Sequence, residues 1–417
     1  MFTQTNQWRP FLDRFQRMAL IVGAAGMILT ALGIALSPKQ FFASLLFAFF
    51  FWLTLTIGAM IILMIQHLTS GVWGLMIRRM LEAAIMTLPF LAVVFLILLF
   101  GIPSLYPWAN PDVVQANEII AKKVGYLNTP FFSVRAVIYF ALLIGLAFVL
   151  NRLSDQQDRN PSTKLNDRLR SISGPGIPLV VLVFTLAATD WGMSLQPAWF
   201  SSMYPTTFMV EGMVDVMAWS ILALGLMSAR GLLPYTIPVD RLHDLSKLLF
   251  AFAVLWAYVS FSQFLIIWSG NIPEETPWYY YRLNNGWEFL GILLMIGHFF
   301  VPFLGFMSRH PKRHLKVAMT MACWMILMQA AFVFWVVMPS IYTEGIHISP
   351  LDITALLGVG GLWMMLVVRT MKSRPLLPPN DPRMELLARQ SAAQEHGGHG
   401  SHSAHGESDS HDVAHAH

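Results

Sequence analysis

Apolar residues fall into ten long runs, at 17–36, 41–66, 81–102, 131–151, 177–196, 206–227, 246–268, 286–307, 316–338 and 349–369. Each approaches the roughly 20 residues with which a helix, rising about 1.5 Å per residue, crosses the hydrocarbon core of a bilayer. Backbone in lipid has to satisfy its own hydrogen bonds, so the runs predict an all-α polytopic membrane protein with ten transmembrane helices. Three connections on one side are more than tight turns: 103–130, with Tyr106-Pro107-Trp108 and a short helical pattern from Asp112 to Lys123; 269–286, reading SGNIPEETPWYYYRLNNG; and 339–350, reading PSIYTEGIHISP. On the other side the longest connection, 151–175, is polar and basic and is expected as a loop.

The charges between the runs set the orientation. Of the 27 Lys and Arg, 22 fall in the connections of one set, while Lys39, Lys122, Lys123 and Arg282 fall in the other and Arg135 lies just inside the outer end of the fourth run. Basic residues stay inside, which places both chain ends in the cytoplasm. The chain then divides into a cytoplasmic arm (1–16), a ten-helix domain (17–371) and a tail (372–417) with His396, His399, His402, His405, His411, His415 and His417 among Gly, Ser and Ala, a composition expected to be disordered. The first apolar run is longer than the h-region of a signal peptide, about 7–15 residues, so it is expected to be retained.

Composition narrows the function classes. At 56% apolar and 12% charged residues, with mean hydropathy +0.57, the chain is no ordinary soluble domain. One cysteine, Cys323, excludes a disulfide framework, a thiolate-held iron–sulfur cluster and a cysteine zinc site within the chain. The pI near 9.2 reflects loop charges rather than a nucleic-acid surface. Facing histidine pairs for haem are absent, because His298 alone is clearly intramembrane; no cofactor and no metal site is expected in this chain.

Charged residues at membrane depth are the candidates for chemistry. Asp190, Glu211 and Asp215 lie within the fifth and sixth runs, and Glu211 and Asp215, four apart, share a helix face. Two carboxylates stacked in low dielectric do not both ionise cheaply, the condition for a proton carrier. His298 beyond them, then His67 and Glu82 at the inner ends of the second and third helices, would extend a proton path. Gln263, Ser260 and Tyr258, with Thr185 and Thr189, are candidates for polar lining or interhelical hydrogen bonds. A static Arg135–Asp190 ion pair is the competing reading of the outer cluster, and it leaves Glu211 and Asp215 without a cation. Outside, Glu274 and Glu275 beside Arg282 form a candidate docking surface for a partner.

Two motifs carry a resemblance. TDWGMSLQPAWFSSMYP (189–205) followed by Glu211, together with FSQFLIIWSGNIPEETPWYYYR (261–282), resembles the ActF membrane subunit of alternative complex III, the quinol:cytochrome c oxidoreductase of bacteria that lack the cytochrome bc1 type. The resemblance implies an NrfD/PsrC-like fold, in which helices 2–5 and 6–9 form two four-helix bundles flanked by helices 1 and 10. It also implies partners: an ActC-like sister membrane subunit, periplasmic iron–sulfur and multihaem cytochrome c subunits that carry the clusters and haems, and an adjoining terminal oxidase. The sister subunit, beside the iron–sulfur centre, is then the better candidate for quinol oxidation. This chain is expected to contribute a proton-conducting path, a quinone-facing surface or both, without a redox centre of its own. A stand-alone proton-coupled permease is the alternative.

Overall fold

The computed structural model describes residues 8–233 and 236–377 and, beyond these, Asp381, Arg383, Met384, Leu386 and Arg389, without the side chains of Trp8 and His310. Of the tail expected to be disordered, 372–417, the His-rich stretch lies outside the described residues. Its beginning needs correction: Lys372 ends the last helix, Leu376, Leu377 and Met384 are buried, and Arg374 donates to Asn151 at 3.2 Å, because these apolar and basic side chains find partners on the protein. Among the described residues there are no strands, and ten helices are long and apolar enough to cross a membrane: α1 (Trp8–Leu36), α2 (Pro38–Thr69), α3 (Arg78–Leu99), α4 (Thr129–Arg159), α5 (Thr163–Trp191), α6 (Met203–Ala229), α7 (Val239–Gly270), α8 (Trp287–Met307), α9 (Leu315–Val337) and α10 (Pro350–Lys372). The protein is an all-α, polytopic membrane protein.

α2 is apolar on every side, and a helix of that kind has to be surrounded. It packs against α1, α3, α5, α6, α9 and α10, and nearly all of its side chains are buried. α4 packs on both α3 and α5, while α6 packs on α7 and α9, with α8 between those two. The α1–α10 pair is antiparallel and very close. A Cβ on Gly23 would approach the Leu362 amide to 2.6 Å, one on Gly26 would approach the Gly358 Cα to 2.7 Å, and the Thr30 hydroxyl donates to Thr354 at 3.0 Å. Without a hydrophobic force between helices in lipid, small residues let backbones touch and gain dispersion. The same pair brings the start of α1 and the end of α10 to one side, where Lys372 pairs with Asp13 and donates to Gln16. That side is called the terminal face here, and the opposite one the distal face.

One expectation about connections needs correction. Residues 151–175 are not a loop: α4 runs on to Arg159 and α5 begins at Thr163. Polar composition sets how far a segment stands out of the lipid, not its conformation, and this stretch contains good helix formers. α5 continues through Pro175 and Pro178, each of which removes one backbone hydrogen bond. The N-terminal arm is helical from Trp8 onward, because α1 extends past the apolar run that announces it. On the distal face, the pattern from Asp112 to Lys123 becomes two short helices, Pro111–Ala116 and Glu118–Ala121, each opened by an asparagine cap from Asn110 and Asn117.

Candidate functional site

α2 and α6 cross with their backbones in contact. A Cβ on Gly58 would run into the Gly212 carbonyl, and one on Gly212 into the Thr54 carbonyl. That approach carries the residues beside Gly212 to the centre of the protein. Glu211 and Asp215 have no solvent exposure, and none of their four carboxylate oxygens makes a hydrogen bond to the protein.

His298 faces them from α8. The Nε2 lies 3.2 Å from Glu211 Oε2, in contact but not aligned as a hydrogen bond, and Nδ1 has no partner either. The α8 backbone is a π-helix over Leu294–Phe300, a widened turn that is rare and often marks functional sites. The Trp324 indole donates to the Gly297 carbonyl at 2.7 Å, and the Trp256 ring lies 4.0 Å from the imidazole, so the wide turn is held from α9 and α7. His298 therefore sits beside Glu211 rather than beyond the carboxylates. The group consists of three titratable side chains with no fixed counter-ion among the described residues and no water-facing surface, surroundings that leave protonation free to change.

A cavity of about 730 Å³ lies alongside, between α6, α7, α8 and α9. Its walls are aromatic and aliphatic, and Tyr258 and Phe261 near its rim are strongly exposed, at 67% and 61%, on the lipid-facing side. Thr207 and Phe208 line it one turn from Glu211, and Trp256 separates it from His298. Three lining groups carry polar atoms without a partner: the Gln263 carbonyl, the Ser260 hydroxyl and the Trp256 indole N–H. Thr185 and Thr189 do not join them, since each hydroxyl donates to the carbonyl four residues earlier in α5.

The other candidates are separate from this group. Asp190 is clamped by Arg135, whose Nε and Nη2 donate at 2.7 and 3.0 Å, and by the Tyr139 hydroxyl at 2.9 Å. Arg135 also donates to the Tyr126 carbonyl and lies over the Tyr126 and Phe131 rings. Asp190 is thus the centre of a fully partnered ion pair between α4 and α5, and the expectation that it begins a path with Glu211 is corrected accordingly. Next to it, Trp191 is enclosed by Phe49, Phe95, Phe140 and Tyr139, and the distal segment folds over the turn through Tyr106 to the Trp191 carbonyl and Trp108 to Ser194.

Glu82 accepts from Arg78 at 2.9 Å, Arg79 at 2.6 Å and Ser154 at 2.6 Å, with Arg374 at 3.7 Å. Held among three guanidinium groups, this carboxylate ties α3 to α4 and to the chain beyond α10 and makes no contact with the central group. His67 bonds Ser173 at 3.0 Å through Nδ1, away from the central group.

Arg282 is the clearest correction. It is fully buried and donates to the Trp278 and Val336 carbonyls and to the Ser340 hydroxyl, with its guanidinium stacked 3.6 Å from the Trp278 ring centre. Burial pulls it down to about 9, so it is still charged at neutral pH. It caps the C-terminal carbonyls of α9, where a cation is favoured, and it is not available for docking with Glu274, which is exposed, and Glu275, which is half-buried.

Sequence reasoning missed the π-turn and the roles of Trp256 and Trp324. No residue type signals a π-turn; Gly297 against Trp324 was the only available hint. Compared with known proteins, the chain matches no family model and no curated protein.

Proposed function

We propose that the chain is an integral inner-membrane subunit of a bacterial quinol-oxidising respiratory complex of the alternative complex III kind, with both chain ends in the cytoplasm. In this reading it holds no redox centre of its own, Glu211, Asp215 and His298 take up and pass protons, and the adjoining cavity is a quinone-facing surface. The observation that carries it is the unpaired acid–histidine group, fully buried and one side chain from a lipid-side cavity. An isoprenoid quinone suits that cavity: Phe261, Phe264 and Phe300 match an apolar tail, while Ser260 and Gln263 match ring oxygens. The partner subunits, an ActC-like sister, iron–sulfur and multihaem cytochrome c proteins and a terminal oxidase, would meet the distal face near Glu274 and Glu275. Basic residues concentrated on the terminal face support this orientation.

The test is purification from native membranes. The reading requires haem- and cluster-bearing subunits to accompany the chain; a chain that comes alone and transports a solute with protons would establish the permease instead. An isolated chain showing a stoichiometric, reducible Soret band would overturn the claim that it lacks a redox centre.

A further inference from the structure

A second cavity, of about 270 Å³, opens on the terminal face where the end of α2, the start of α3, the first turns of α5 and the chain beyond α10 meet. Its charged lining is Arg78, Arg170 and Arg383 against Asp167 and Asp381. Asp381 is already engaged: it accepts from Arg383 Nε at 2.8 Å and Nη2 at 2.6 Å, and Arg78 Nη1 lies 3.5 Å away. Burial alone would raise its carboxyl, but the Arg383 hydrogen bonds and nearby guanidinium charge outweigh that and hold it below the usual range.

Donors remain after this pairing. His67 is 6% exposed, lines the cavity and bonds Ser173 through Nδ1, which leaves a buried Nε2 with no partner, a donor in the tautomer whose Nδ1 accepts from the Ser173 hydroxyl. Arg383 Nη1 is likewise buried and unpaired. A third source is the end of α5. Its N-cap residue Ser162 makes no side-chain cap bond, and Thr163 in the first turn lines the cavity, so the positive end of a 29-residue helix is turned toward it. Unpaired polar atoms from α2, α5 and the chain beyond α10, together with Arg170, which donates to the neutral Ser70 hydroxyl and has no carboxylate partner among the described residues, suit a ligand with several acceptor oxygens and negative charge.

We propose that this cavity binds a phosphate-bearing anion, held by His67, Arg170, Arg383 and the first turn of α5. Its place where apolar helices leave the lipid admits two sources, the headgroup of an anionic phospholipid or free inorganic phosphate. The bound group would join three separated parts of the chain, α2, α5 and the segment after α10.

The experiment uses the full-length protein, delipidated in detergent, titrated separately with inorganic phosphate and with short-chain phosphatidylglycerol while thermal unfolding is followed. Stabilisation by phosphatidylglycerol alone assigns a lipid headgroup; stabilisation by phosphate as well assigns the free anion. Arg170→Gln and Arg383→Gln, at positions that are not fully buried, should each weaken the response at least about tenfold, the effect of one charge-assisted bond. His67→Gln is the variant inside the protein and should weaken it similarly. No stabilisation by either probe, or an undiminished response in all three variants, would overturn the proposal.

Discussion

Two aspartates without solvent exposure, Asp190 on α5 and Asp215 on α6, sit in opposite surroundings. Around Asp190 every charge is matched: a bidentate guanidinium, a phenol, and beyond them two aromatic rings over the cation. Around Asp215 there is no hydrogen bond to the protein, and its neighbours are a second unpaired carboxylate one turn away and a histidine touching that one. Glu82 belongs with Asp190, since three guanidinium groups surround it. The contrast separates two uses of charge in a membrane. A paired charge holds helices together and has little freedom to change its protonation. An unpaired buried group costs stability and is kept where protonation is the task.

Substitution at the clamp should have the largest effect. Arg135→Gln leaves Asp190 buried without its cation, a change that typically costs about 3–5 kcal/mol, and folded protein should be lost in detergent unfolding or assembly assays. Removing both charges in Arg135→Gln with Asp190→Asn should recover much of that stability, and a double variant no better than the single one would break the account of Asp190 as part of a pair.

Gly58→Ala comes next. The methyl group meets the Gly212 carbonyl, so α2 and α6 must separate, at a cost on the order of 1–3 kcal/mol typical of overpacking. Because the same contact holds Glu211 in place, activity should fall along with the unfolding temperature; wild-type values of both would show that the close approach is not needed.

Asp215→Asn sharpens the comparison from the other side. It removes a titrating group that has no partner to lose, so stability should change by less than about 1 kcal/mol while turnover or the proton-to-electron ratio of the assembled complex falls. Stability loss as large as that of Arg135→Gln, or unchanged turnover and ratio in the Glu211→Gln and Asp215→Asn variants, would remove the functional half of the contrast.

The smallest effect on the fold is expected from Glu274→Lys with Glu275→Lys, within about 0.5 kcal/mol for surface substitutions. Cross-linking from cysteines introduced at 272 and 276 should capture a partner subunit in the wild type and lose it in the double variant. Equal capture in both would rule out this loop as a charged docking site.

Much of the architecture was legible in the chain itself. Each of the ten apolar runs overlaps one of the ten membrane-length helices over most of its length, because the length of an apolar run and the need to satisfy backbone hydrogen bonds in lipid are local properties. The stacking of Glu211 and Asp215 follows from a spacing of four on one helix. What sequence did not reveal was lateral: which helix turns which face to which neighbour. Arg282 reads as a surface charge until the C-terminal carbonyls of α9 and the Trp278 ring enclose it. His298 reads as a distant relay residue until a π-turn in α8 points it at Glu211. Asp190 and Glu211 lie 21 residues apart in the chain, yet one is clamped to α4 and the other faces α8. Those outcomes depend on helix rotation and separation, set by contacts such as Gly58 on Gly212 between residues more than 150 positions apart. Local sequence sets the hydrogen bonding and length of each helix, whereas the partners of a buried charge are decided only when the helices pack.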